Sequence, residues 1–475
     1  MPGSDEGLFF DPPYNWLTKG HTGTTIVEGT GFPWEGIERH MYWQPPMHLL
    51  IHTAWLGVFG KTLFSLRFCS LAAAIIALFM WRYLLRHGGV PPVLQGIVIV
   101  TIAVDYSLVR TGAEGRTDML AIAFGLGAWV SYIHFRDRHF NVAILLSQTL
   151  VVCGGLTHPM GGIPYLLLIL LTMWRNHDWK RLRLAHAGLA ALPYLVGAAA
   201  WGVYILQEPQ TFKRIFVGSS MAGRVGGFFS NPFAAIGDEI KLRYLEPYGW
   251  GRATSSFALR IKTVIPLVYF AGALAAWLIP AVRRAPHMRF FLPVWSVMIG
   301  CLLLLDGQRN GVYLSHVLPL YAILLATVLW WSWERGVVAR WAAAVGGCAF
   351  LLLQIGGSAY IIFTNPYRND YLPAVHFVQQ QTAPGAYIVG GPEMGFGLGF
   401  DNILDDLTLG YNNHKKPDVI VINARYRNFF DAFKRDKPEI YRFVTDRLQN
   451  EYRLAYHEKS FEIYLPAAKA VAVRR

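Results

Sequence analysis

The chain has 475 residues, 53% of them hydrophobic and only 15% charged, with a formal net charge of +13. Soluble proteins average about 25% charged residues, so the composition excludes an ordinary soluble protein. The basic excess sits in short loops beside long apolar runs, the placement of residues held on the cytoplasmic side of a membrane, and this sets nucleic acid aside as a partner.

From the N-terminus, residues 1–10 have neither the basic n-region nor the apolar h-region of a signal peptide. Residues 5–63 are rich in Trp, Tyr, Pro and Gly, as befits a membrane–water interface. Within them, residues 47–59 are apolar but too short to cross a hydrocarbon core about 30 Å thick, so a helix lying in the interface is expected. Ten spans follow, at 64–83, 92–109, 117–135, 140–157, 159–174, 184–206, 262–281, 288–306, 314–333 and 340–363. Arg82/Arg86, Arg136/Arg138, Arg175/Lys180, Arg283/Arg284 and Arg335/Arg340 mark alternate loops as cytoplasmic. Alternation then puts residues 1–63, the long loop 207–262 and the C-terminal segment outside. Nothing visible carries residues 1–63 across. Two readings stand: a short tail that translocates with the first span, or, favoured, a missing transmembrane helix ahead of it.

After residue 364 the charge rises and the apolar periods shorten. Helices are expected at 371–381 and 438–452, and strands at 386–390, 418–423 and 461–465. That alternation predicts a soluble α/β domain over 364–475, appended to a transmembrane domain over 1–363. The run 390–399 is Gly-rich but lacks Gly-x-Gly-x-x-Gly spacing, so a plain loop is expected rather than a phosphate cradle. Cys69, Cys153, Cys301 and Cys348 lie in or beside apolar runs without metal-ligand spacing, and no disulfide framework is expected.

The outer segments hold the residues that carry chemistry. Asp5-Glu6 taken alone reads as a solvated tail. Arg116 and Asp118, in Gly115-Arg116-Thr117-Asp118, serve equally as a helix-end ion pair with an N-cap or as site residues, with Glu114 a weaker candidate beside them. His158, before Pro159, reads first as a turn or packing residue. The long loop carries Lys213, Arg214, Arg224, Lys241, Arg243, Arg252 and Arg260 against the positive-inside tendency. A phosphate headgroup bound by guanidinium groups explains them, and so does contact with anionic membrane lipids. Tyr244 and Tyr248, beside Arg243, are candidate lining residues of a ligand pocket.

Read in order, Asp5-Glu6, then Tyr42-Trp43-Gln44-Pro45-Pro46-Met47-His48, Phe59-Gly60, Leu66-Arg67-Phe68, Gly115-Arg116-Thr117-Asp118 and Leu156-Thr157-His158-Pro159 form one pattern. It resembles the GT-C glycosyltransferases that use polyprenyl-phosphate sugars, among them the protein O-mannosyltransferases and the bacterial aminoarabinose transferases acting on lipid A. The resemblance covers nearly the whole chain, with one departure: in the family a transmembrane helix precedes the Asp-Glu.

The resemblance implies a polytopic α-helical membrane protein of GT-C type with a C-terminal soluble α/β domain. It would move a sugar from a polyprenyl-phosphate donor to a lipid, glycan or protein acceptor, at the periplasmic face of a bacterial inner membrane. Asp5 is then the expected general base, with Glu6 supporting it. Asp118 binds the acceptor or orients the base, and Arg116, with Glu114, His158 and Arg243, belongs to the substrate side. One base and direct displacement would invert the anomeric centre. No Asp-x-Asp motif and no His/Cys cluster assigns metal ligands. Arginines suffice for a monophosphate donor, and a divalent ion stays open as the alternative. Two other function classes stand beside this one. A lipid or polysaccharide transporter would carry midplane charges and internal repeats, neither of which is apparent here. A non-catalytic envelope-assembly scaffold is the third.

Overall fold

A computed structural model describes residues 1–29, 34–218, 228–229, 231–250 and 261–467. The first helix, α1 (Ser4–Lys19), begins where the Glu6 carboxylate reaches back 2.8 Å to the amide of Gly3, half of a capping box. It ends at Gly20, whose φ of 76° gives the left-handed turn that stops helices. Asp5-Glu6 therefore opens a packed helix, not a solvated tail: Glu6 and Asp11 are fully buried. After it come α2 (Met47–Phe59), the short apolar helix expected at the interface, and α3 (Leu63–His87), N-capped by Thr62.

Each of the ten expected spans has a helical counterpart, but not ten straight crossings. Among the described residues six helices have 18 residues or more: α3, α6 (Asp118–Phe135), α7 (Phe140–Thr157), α9 (Leu184–Ile205), Met288–Leu305 and Val337–Thr364. The expected span 92–109 is broken. Helices α4 (Pro92–Val104) and α5 (Tyr106–Ala113) meet at 55°. Asp105 causes the break, because its carboxylate caps the amides of Ser107 and Leu108 at 3.0 Å and starts a new helix. Tyr269 at 2.7 Å and Gln354 at 2.9 Å satisfy its other oxygen.

The remaining three, α8 (Pro159–Arg175), Val264–Leu278 and Leu318–Trp333, have only 15 to 17 residues. Fifteen residues rise about 22 Å, short of a hydrocarbon core of about 30 Å. Leu318–Trp333 tolerates this because its first ten residues are buried in protein on every side and never meet lipid. By contrast α9 buries only Pro193 and Gly197, and its Leu195 and Val196 lie open as a lipid-facing surface would.

At the C-terminal end a five-stranded sheet has the order β2-β1-β3-β5-β4. Its strands are β1 (Ile388–Val389), β2 (Ile403–Leu404), β3 (Val419–Ile422), β4 (Tyr452–Glu458) and β5 (Phe461–Pro466). The first three run parallel, while β5 joins β3 and β4 antiparallel. Strands β2 and β4 and the helix Ala424–Asp436 go beyond the expected elements, and the helix expected over 438–452 ends at Asp446 before a π turn leads into β4. The Gly-rich run is not a plain loop: Pro392–Met394 forms a 3-10 turn and Gly395–Leu398 a helical one.

This sheet is not an isolated appendage. Phe10 of α1, Leu56 of α2 and Leu66 of α3 share one apolar core with Val375, Met394 and Phe400. At Gly7 a side chain is impossible without movement, since a Cβ there would stand 2.4 Å from the carbonyl oxygen of Pro392. Val27, in the loop after α1, bridges Asp405 in parallel at the edge of β2.

Candidate active site

Glu6 organises the site without standing in it. Its two oxygens accept from Arg67 Nε at 2.8 Å and Nη2 at 2.7 Å, from the Gly3 amide, and from the Gly115 amide at 2.8 Å. A buried carboxylate with four donors is fully satisfied, and here it clamps α1 to α3 and to the turn that precedes α6. The turn passes close to α3: a Cβ on Gly115 would lie 2.4 Å from Leu66.

The next residue on each strand of this clamp meets the other. Arg116 donates through Nη1 to Asp5 and through Nε to Asp118 Oδ2 at 2.9 Å, so one guanidinium holds two carboxylates. Asp118, first residue of α6, is buried, while the Asp5 side chain is 46% exposed. The Arg116 guanidinium also stands 5.9 Å from the Phe9 ring centre, and Phe9 stacks on Trp43 at 5.9 Å. Of the residues expected in the site, Asp5, Arg116 and Asp118 are thus brought together by direct contact.

Asp5 lies at the rim of a cleft of about 410 Å³ between the loop after α1 and the C-terminal sheet. Trp34, Trp43 and Phe429 line it with Glu28, Asp405 and Asp406. Burial raises the Asp406 carboxyl above the usual range, against hydrogen bonds from Thr408 and Gly410 that lower it. Trp34 and Trp43 belong to the aromatic segment 5–63 singled out in the sequence, whereas Glu28, Asp405, Asp406 and Phe429 were missed there, the doublet Asp405-Asp406 after an apolar pair being the one signal. A second, apolar cavity of about 200 Å³ runs between α3, α5 and α6, lined by Leu71, Leu78, Trp81, Leu108, Gly112 and Ile122. Gly112 and Ala113, at the end of α5 just before Glu114, Gly115 and Arg116, line this groove.

The other expected residues lie elsewhere or are already occupied. Glu114 pairs with Arg110 at 2.8 Å. His158 caps α8 through Nδ1 and meets Tyr313 through Nε2 at 3.0 Å, which is the turn role. Arg243 is fully buried. Glu239 holds it at 2.5 Å, Asp306 at 3.0 Å and the Asn310 carbonyl at 2.9 Å, so its geometry is that of an internal clasp and not of a phosphate ligand. Tyr244 packs on Phe270 and Tyr321, and Tyr248 on Tyr106; both are buried, and neither lines the cleft. Arg224, Arg252 and Arg260 fall outside the described residues. Among the described residues no group of three or more His, Cys, Asp or Glu is set to hold a metal ion.

Helices long and apolar enough to cross a membrane, one of them broken at Asp105, and a small sheet that shares a core with α1, α2 and α3 make a polytopic α-helical membrane protein. The chain is similar in structure to ArnT from Cupriavidus metallidurans, crystallised with undecaprenyl phosphate. The TM-score is 0.57 over 98% of this chain and 94% of that one, with 12% sequence identity, so the likeness is one of fold. No family model matches the chain, and no curated protein matches it.

Proposed function

We propose that the protein is a glycosyltransferase that moves a sugar from a polyprenyl-phosphate donor to an acceptor at the membrane surface. The observation that carries this reading is Arg116, held by Asp118 and by Asp5, which lies at the rim of the cleft. The ArnT structure contains undecaprenyl phosphate, and the shared fold supports a donor of that kind here. Its prenyl chain would lie in the groove beside α5, bringing the phosphate to Arg116, with Arg110 exposed at the same end.

The chemistry then follows from charge. A phosphate competes with Asp5 for the guanidinium, because a bidentate arginine–phosphate pair is among the strongest charge-assisted contacts. Released, Asp5 takes the proton of the acceptor hydroxyl as its oxygen attacks the anomeric carbon. The bond from that carbon to the phosphate oxygen breaks, the polyprenyl phosphate leaves on Arg116, and the centre inverts. Asp118 acts by positioning Arg116. Glu6 supports both residues from outside the reacting groups. We place this face, with the domain from about residue 364 onward, on the periplasmic side of a bacterial inner membrane.

The test is transfer of radiolabelled sugar from a polyprenyl-phosphate donor by the purified protein in lipid nanodiscs. Transfer that Asp5→Asn abolishes would support the reading. Undiminished turnover in that variant would remove Asp5 from the base role.

A further inference from the structure

The cleft beside Asp5 has walls of two different chemistries. One is aromatic: Trp34 meets Trp43 edge to face at 5.7 Å, and Trp43 is backed by Phe9 in a stack inclined by only 10°. Phe429 completes that wall from the C-terminal domain. The rest mixes apolar side chains, Leu8, Val27, Ile37 and Met41 among them, with hydrogen-bond acceptors. Four carboxylates line the cleft, those of Asp5, Glu28, Asp405 and Asp406, against a single basic side chain, Arg425. Arg425 is itself taken up by Asp405 at 2.8 Å and lies over the Phe429 ring at 5.5 Å. Asp405 carries both Arg425 and Tyr426 on Oδ1, which leaves Oδ2 unengaged among the described residues.

We infer that this cleft binds the terminal sugar of an uncharged glycan, the acceptor of the proposed reaction. The inference rests on that reading for its catalytic meaning, but not for the binding itself. A pyranose offers an apolar face of C–H bonds and an equatorial rim of hydroxyl donors. Fixed aromatic rings match the first and carboxylate oxygens the second. A volume of about 410 Å³ falls in the range of small-ligand sites, about 300 to 1,000 Å³. The acidic lining repels phosphorylated or otherwise anionic acceptors.

A peptide acceptor fits poorly. Extended peptides bind by adding a strand to an open sheet edge. The edge beside this cleft is β2, and there Asp405 already donates its amide to the Ile26 carbonyl at 2.7 Å and receives the Glu28 amide at 3.4 Å. The chain has filled its own edge.

Two arrays test this with the intact protein in nanodiscs: neutral oligosaccharides, and Ser/Thr-containing peptides. Saturable oligosaccharide binding that quenches tryptophan emission is expected, weakened at least 10-fold by Trp34→Ala and by Phe429→Ala, with no peptide binding. Two side chains on different chain segments are used so that a folding failure in one variant leaves the other informative. Peptide binding that Trp34→Ala abolishes, or oligosaccharide binding that neither variant weakens, would overturn the inference. Retention of undecaprenyl phosphate is measured separately by native mass spectrometry. If that lipid is retained and no oligosaccharide binds, the cleft assignment fails and the donor reading survives. If oligosaccharides bind and the lipid is not retained, the cleft assignment stands and the transferase reading fails.

Discussion

Asp5 and Glu6 are neighbours in sequence with opposite environments, and substitution should separate their roles. Asp5 is half exposed and shares one guanidinium, so its loss costs little stability; exposed ion pairs contribute about 0–1 kcal/mol. Asp5→Asn should therefore melt near the wild type while transfer falls by about 10²-fold or more, the usual worth of a positioned base. Glu6→Ala should do the reverse. It leaves the Gly115 amide without its acceptor and Arg67 with only the Met1 carbonyl, and a loss of about 3 kcal/mol is expected, read as a lower thermal midpoint in detergent. An unchanged midpoint would sink the clamp. The sequence made Asp5 legible through the order of motifs around it. It concealed the work of Glu6, whose partners Arg67 and Gly115 stand 61 and 109 residues away. Arg243 misled for a related reason. An arginine in a loop looks like a ligand for an external anion until its internal partners, Glu239 and Asp306, are seen beside it.

Among the elements, those with long apolar runs were legible and those made by contact were not. The runs located ten helical segments, since burial in lipid or protein demands the same apolar composition. The break between α4 and α5 depends on one buried side chain, Asp105, whose partners Tyr269 and Gln354 come from distant helices. Strand β2 has two residues, too few for any period to register. The helix Ala424–Asp436 carries Tyr426, Phe430 and Phe433 at helical spacing, packed on the sheet, a stripe that was legible and was missed among its charged residues. The packing of α1 on the Pro392 turn makes a prediction at this scale. Gly7→Ala puts a methyl group against a backbone carbonyl that cannot swing aside, and overpacking of this kind costs about 1–3 kcal/mol. Ser4 and Asn423, which hold Glu393 at 2.8 and 2.5 Å, would part. Limited proteolysis should then release the C-terminal segment faster than in the wild type; equal rates would show that α1 does not hold the sheet.

Whole-molecule behaviour adds terms that no single motif displays. The proposed orientation predicts that, in a background lacking the four native cysteines, Lys434→Cys labels from outside intact cells and Arg138→Cys only after permeabilisation. The reverse pattern would invert the topology. Acid should also weaken the fold. His48 and His52 are buried, and desolvation lowers their rings from 6.5 to about 4 and about 3. The folded protein therefore binds fewer protons than the unfolded one. Stability from these rings is complete above about pH 6.5 and falls as the pH drops below it, by about 1.4 kcal/mol per histidine for each pH unit, until the folded values are reached. Asp11 works in the opposite direction, since burial raises its carboxyl to about 6, but only below that value, and it offsets about one histidine. Between pH 6.5 and 6 the histidines act against little opposition. Both ring nitrogens of His52 lack a partner among the described residues, so His52→Leu removes a titrating group without breaking a hydrogen bond. The thermal midpoint of the wild type should fall between pH 7.5 and 5.5, and the variant should fall by clearly less. Equal losses in the two proteins would mean that His52 is not buried in its neutral form.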